Sequence, residues 1–206
     1  MSSHHFVKEN QEPALIIDHL TAFPFSKLED LLEWAPQVIC LSDAVPEALM
    51  YQFKIDVIMG IDLDVSTYTD FQDHIECISL TGNLWEGVIS YLNKLKVPGA
   101  YFITDQAHAH QLINQMKPYA PYFDLQVISP EKRYILSRKK LWKKWISGSG
   151  RYTAASFDPS QRLTATLFGK PISHHEPLET LDILYEGEGF IEIKATECPY
   201  LISEPL

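Results

Sequence analysis

The sequence predicts an α/β domain with a mainly parallel sheet over residues 1–146, followed by an all-β sandwich over residues 151–206. Three observations predict it. Short apolar runs of strand length alternate with helical patterns through the first part. The stretch Ser147-Gly148-Ser149-Gly150 then punctuates the chain as a flexible hinge. After it come only short runs rich in β-branched and aromatic residues, separated by turns.

In order, residues 14–18 (ALIID) form the first buried-strand candidate, closing on Asp18 and His19. A histidine just after a strand is read as structural. Residues 25–34 show a helical pattern, with Ser26 as cap, Leu28, Leu31 and Leu32 on one face, and Pro36 as the stop. Residues 38–41 and 57–60 are two further buried strands, and residues 46–53 between them are a short helix with Pro46 in its opening turn. A strand, helix, strand succession favours a parallel pair joined by a right-handed crossover. The acids that follow these strands, Asp43 after the first and Asp62 and Asp64 after the second, then share one edge of the sheet. Open α/β folds bind ligands at that edge. Three carboxylates there can hold Mg²⁺ and, through it, a nucleotide polyphosphate.

Residues 67–74 are polar and expected to be exposed, and residues 76–80 form another strand. Residues 84–95 form an amphipathic helix, with Leu84, Val88, Leu92 and Leu95 at helical spacing. Residues 100–104 are the next strand, leading through Asp105-Gln106-Ala107-His108-Ala109-His110 into a helix that ends near Met116. His108 and His110 could make half a metal site, completed by His19 or Asp43, but this spacing before a helix more commonly holds no metal. The adjacent pair His174-His175 is a weaker candidate, and His4-His5 is expected in a disordered tail.

Residues 124–128 and 133–136 are strands. Residues 132–151 hold Lys132, Arg133, Arg138, Lys139, Lys140, Lys143, Lys144 and Arg151, with Trp142 and Trp145 interleaved. That segment is either an anion-binding surface or a solvated strand with basic and aromatic faces, and the second is favoured because the whole chain carries a net charge of −10. Strands at 151–157, 163–168, 180–185, 190–195 and 200–202 follow, with turns at Asp158-Pro159-Ser160, Gly169-Lys170-Pro171 and Gly187-Glu188-Gly189.

Composition excludes several classes. The acidic balance argues against a general nucleic-acid binder, which shows a basic footprint. No apolar run approaches the roughly 20 residues that span a bilayer, so no membrane partner is expected. The opening MSSHHFVKENQEP lacks the apolar core of a signal peptide. Cys40, Cys77 and Cys198 are odd in number with no C-x-x-C pair, and Cys40 and Cys77, in apolar strand-like runs, read as buried thiols. A cytoplasmic protein is expected.

Several of these residues carry a resemblance. Ser42-Asp43-Ala44-Val45, Gly60-Ile61-Asp62-Leu63-Asp64-Val65 (with one residue added after the glycine), His110 with Asn114, Leu167–Pro171, the Gly189-Phe-Ile-Glu-Ile run and Cys198-Pro199-Tyr200-Leu201 resemble motifs of the thiamin pyrophosphokinase family in element order and domain split, across about residues 14–203. The resemblance implies a transferase in which the thiamin hydroxyl attacks the β-phosphorus of ATP and AMP leaves, with Mg²⁺ accompanying ATP. It implies catalytic and metal roles for Asp43, Asp62 and Asp64, and nucleotide contacts from His110, Asn114 and Asp105. It also implies a homodimer whose β-domains help build the acceptor site. The chain departs from the pattern at five places. His19-Leu20 replaces an Asn-Gly pair, and Ala44-Val45 replaces Gly-Gly. Leu80–Trp85 lacks an acidic pair, Ala107 and Ala109 replace Arg and Asp, and Leu184–Gly187 lacks a Ser-Asn loop. These leave two alternatives open: a non-catalytic binding or scaffold protein on the same fold, or a diphosphotransferase acting on a different small alcohol.

Overall fold

Apolar runs of four or five residues, too short for helices, become the strands of a parallel sheet in the first part of the computed structural model. The structure describes residues 12–33, 37–68, 71–72, 74–172 and 180–206. The chain divides into two compact units, Met1–His108 and Ala109–Leu206.

In the first unit the strands are β1 (Ala14–Ile17), β2 (Val38–Leu41), β3 (Val57–Ile61), β4 (Glu76–Leu80) and β5 (Gly99–Ile103). They lie in the order β5-β1-β2-β3-β4, every pairing parallel. β1 and β2 are buried at all four positions. That explains their continuous apolar sequence, since a strand covered on both faces has no polar side to alternate with. The connecting helices are α1 (Phe25–Leu32), α2 (Val45–Tyr51) and α3 (Leu84–Leu95). Asn83 caps α3 by accepting from the backbone N–H groups of Trp85 and Glu86. Val88, Ile89 and Leu92 form its buried stripe, and Lys96 ends it in the left-handed conformation at φ 59°. Ser26 is not the cap of α1. The extended Pro24 precedes that helix, and no side chain caps it. Pro36 lies outside the described residues.

The chain runs from β1 outward through β2, β3 and β4, then returns to place β5 on the other side of β1. The order therefore reverses between β1 and β5, and their carboxyl ends flank the crevice of a doubly wound sheet.

The second unit begins with α4 (Ala109–Met116). It continues through β6 (Asp124–Ile128), β7 (Lys132–Ser137), β8 (Leu141–Ser156), β9 (Leu163–Leu167), β10 (Lys170–Ile172), β11 (Thr180–Ala195) and β12 (Tyr200–Pro205). These strands are antiparallel, in the order β10-β9-β11-β8-β12-β7-β6. Ser147–Gly150, expected as a hinge, lies inside β8, and the expected turn at Gly187–Gly189 lies inside β11. The two strands pair without interruption from Lys194↔Leu141 to Thr180↔Ala155, with Gly187 opposite Gly148.

The glycines bend the ladder rather than break it. Trp142 and Tyr152 are ten residues apart on β8, about 33 Å of straight strand, yet their ring centroids are 5.7 Å apart. Tyr200 sits beside Ser156 at one end of the ladder, and its hydroxyl donates to the carbonyl of Ile193 at the other, 3.3 Å away. Both contacts require the sheet to fold over onto itself. One core forms between the layers, from Ile146, Tyr152, Leu181, Ile183, Ile191, Ile193 and Tyr200 among others.

The basic segment is a strand surface in which most of the cations meet carboxylates. Lys143 pairs with Glu192 at 2.6 Å and Arg138 with Asp124 at 2.7 Å, while Arg151 pairs with Asp182. Arg133 and Lys144 both reach the buried Glu204, which also accepts from the Tyr152 hydroxyl. Charges neutralised in this way leave little field to attract a polyanion, so the strand reading describes this segment.

Candidate functional site

At the reversal point β1 runs into Asp18-His19 and β5 into Thr104-Asp105. The two strand ends are tied together. The backbone N–H of Asp18 donates to Ile103 O at 2.9 Å, and the fully buried Thr104 hydroxyl donates to Asp18 Oδ2 at 2.9 Å. His19 Nδ1 lies 3.0 Å from the same oxygen, at ion-pair distance but without hydrogen-bond alignment. Across from it, Asp105 Oδ1 accepts the backbone N–H of His108 at 2.8 Å. The His108 ring places Nδ1 at 2.8 and 3.0 Å from the two Asp105 oxygens. The rings of His19 and His108 stack with centroids 4.2 Å apart and planes 9° from parallel.

Burial works to raise the Asp105 pKa. It is outweighed by the hydrogen bonds from the His108 backbone and ring and by the charges of His108 and His19, so the net shift is downward. A depressed folded-state pKa means that this stabilisation is complete above the ordinary carboxylate value of 3.8 and is lost as pH falls through the folded value. Asp105→Asn is therefore expected to flatten the acid limb of the stability curve below about pH 4. Urea melts of both proteins from pH 6 to 2.5 check this, and parallel acid limbs would contradict it.

Beside this cluster a small cleft of about 160 Å³ is lined by Asp18, Leu41, Ser42, Asp43, Gly60, Ile61 and Leu84. Asp43 stands exposed in the 3-10 turn Ser42–Ala44 that follows β2. Gly60 lets β3 pass close to that turn, because a Cβ there would sit 2.5 Å from Ser42 Oγ. Asp62 and Asp64 occupy the loop after β3 and do not line the cleft. Asp62 has φ 49° and donates its backbone N–H to Leu80 O. Asp64 caps the turn Val65–Thr67, accepting from both the hydroxyl and the N–H of Ser66, and these bonds hold its pKa below the usual value. Among the described residues, no three His, Cys, Asp or Glu side chains gather closely enough to hold a metal ion.

His110 and Asn114 are exposed on α4 in the second unit, where the His110 ring packs edge-on against Tyr134 at 5.7 Å. Ala44 and Val45 are buried in the core at the start of α2. Sequence reasoning passed over Asp18 and Thr104 as site residues, and weighed His19 only as a completing metal ligand. It also missed Glu47, which accepts from the Leu20 N–H at 3.0 Å and the Thr21 hydroxyl at 2.9 Å and so ties the loop after β1 to α2. Only the strand order could have promoted them. The pairs His4-His5 and His174-His175 lie outside the described residues.

No family model and no curated protein matches this chain. Solved structures do. A thiamin pyrophosphokinase from Geobacillus thermodenitrificans superposes with a TM-score of 0.70 at 9% identity, over 95% of this chain and 98% of that one. The enzyme from Bacillus subtilis gives 0.66 at 11% identity, over 95% and 99%. That from Candida albicans gives 0.64 at 14%, over 96% and 90%. The common property at such low identity is architecture, and nearly the whole chain takes part in it: the polypeptide has the fold of the thiamin pyrophosphokinases.

Proposed function

We propose that this chain is a thiamin pyrophosphokinase-like diphosphotransferase: a small alcohol attacks the β-phosphorus of ATP, and AMP leaves. Thiamin is the first acceptor to test, from the names of the structural neighbours. The observation that supports this reading best is the polar cluster and cleft at the carboxyl edge of the parallel sheet, where the strand order reverses. Ligands bind at that place in open α/β folds.

Magnesium enters this reading with the nucleotide. The described carboxylates do not assemble an all-protein cage, and Mg²⁺ bound with nucleotides commonly uses one or two carboxylates plus phosphate oxygens and water. Asp43, exposed on the cleft, fits that role, with Asp62 and Asp64 on the next loop as further candidates. The ion would neutralise charge developing on the phosphate oxygens. Asp105, His110 and Asn114 are the candidates for nucleotide contacts.

A second reading, a binding protein that does not transfer, is favoured by Ala44 and Val45. Their buried side chains occupy the place where glycines would let backbone approach phosphate. Thermal unfolding with MgATP and with thiamin, separately, distinguishes the possibilities. A ligand at 100 times its Kd should stabilise the fold by about 2.7 kcal/mol. Stabilisation by both, with AMP release, supports thiamin transfer. Stabilisation by MgATP alone points to a different alcohol, and by neither to a scaffold.

The same reading includes a homodimer. Leu141 and Trp145 on β8 and Leu184 and Phe190 on β11 are 43–73% exposed at outward positions of the bent sheet, an apolar surface of the kind that subunits cover. Light scattering at micromolar concentration should give twice the chain mass of 23.6 kDa. The monomer mass would count against it.

A further inference from the structure

Two carboxylate–imidazole pairs meet at the strand-order reversal, and the proposed reaction above gives their imidazoles no role. In each, the carboxylate lies at Nδ1: Asp18 for His19 and Asp105 for His108. The Asp105–His108 pair is the better built. Its ring nitrogen lies within hydrogen-bond distance of both carboxylate oxygens, and the backbone N–H of the same histidine fixes the carboxylate. A carboxylate at Nδ1 selects the tautomer that carries its proton there and leaves Nε2 as the acceptor. No group among the described residues hydrogen-bonds Nε2 of His108, and its side chain is 47% exposed. His19 stacks flat on it.

A metal does not account for the arrangement. Rings 9° from parallel direct their nitrogens side by side rather than toward one ion, and no metal-holding group of three occurs among the described residues. Among the described residues of this unit, the carboxylates beside the pair are Asp18 and Asp105, with Glu47 one step away on the Leu20 and Thr21 contacts and Asp43 on the cleft that Asp18 lines.

From this geometry we infer that His108 is the general base of the site, with Asp105 as its positioning residue and the His19 ring stacked against it. This rests on the diphosphotransfer reading. The acceptor's O–H bond breaks, its proton passes to His108 Nε2, and its oxygen forms a bond to the β-phosphorus of ATP. The bond from that phosphorus to the α-phosphate oxygen breaks, and AMP departs with the electron pair. The imidazolium returns its proton to water.

The test is AMP release from MgATP with thiamin as acceptor between pH 5.5 and 9, alongside MgATP binding measured by calorimetry. His108→Ala should slow release by about 10²–10⁴-fold, the usual span for a general base, while MgATP affinity stays within threefold. Free imidazole should restore part of the rate to that variant, an effect that a merely structural histidine would not show. Asp105→Asn should shift the pH profile, because the tautomer at Nδ1 is no longer selected. Two results would overturn the inference: His108→Ala at wild-type rate, or a loss that imidazole leaves untouched with an unshifted profile in Asp105→Asn. MgATP binding without AMP release at any pH would instead overturn transfer to thiamin. Absence of MgATP binding to the natural chain would instead overturn the diphosphotransfer reading on which the inference stands.

Discussion

Replacing Phe102 by alanine is expected to cost about 3–5 kcal/mol of folding stability, the range for truncating a fully buried aromatic ring. Phe102 is 0% exposed, pairs with Ile16 of β1 across the parallel ladder, and meets the ring of Trp85 on α3 edge-on at 5.8 Å. The loss is a large part of the roughly 5–15 kcal/mol that holds a domain folded. Tyr101→Ala, at a half-buried position on the same strand, should cost less. Urea denaturation of the three proteins measures the difference, and equal midpoints for the two variants would refute the assignment of Phe102 to the core. A functional consequence follows from the strand itself. β5 delivers Thr104 and Asp105 to the carboxyl edge, so loosening it should weaken the Thr104–Asp18 hydrogen bond before the unit unfolds.

Gly189→Val is the second large effect. Gly189 has φ 145°, and a Cβ there would lie 2.8 Å from Phe168 Cδ1. Phe168 cannot retreat cheaply, since it holds φ 52° in the turn between β9 and β10 and donates its N–H to Phe190 O at 2.9 Å. The backbone conformation alone should cost about 1–3 kcal/mol, and the clash about 1–3 kcal/mol more. Gly148→Ala is the control: its φ is 87°, but nothing lies within 4 Å of the added Cβ. The bend that Gly189 permits brings Trp142 onto Tyr152. The near-UV circular dichroism of these rings should therefore weaken in Gly189→Val and persist in Gly148→Ala. Similar midpoints and spectra for the two variants would contradict this account of the bend.

Local pattern carried the sequence reading where the physics is local. The apolar runs at β1, β2 and β3, the helix α3 and the exposed acid after β2 were all legible, because strand length and side-chain periodicity involve residues close together in the chain. Glycines were read by the same local logic and misled it at 147–150 and 187–189. Gly148 and Gly187 face each other across paired strands, and whether such a stretch ends a strand or bends one depends on a partner far away in sequence. The candidate site shows the same division. The sequence by itself determined that acids follow β2 and β3, and Asp43 does line the cleft. It did not show that β5 comes to lie beside β1, so nothing in it joined Asp18 to Thr104, 86 positions away, or stacked His19 on His108. Tertiary structure alone decided that pairing. Strand order is set by which buried faces and backbone hydrogen bonds can be satisfied together over the whole sheet, a condition that no short window of sequence contains.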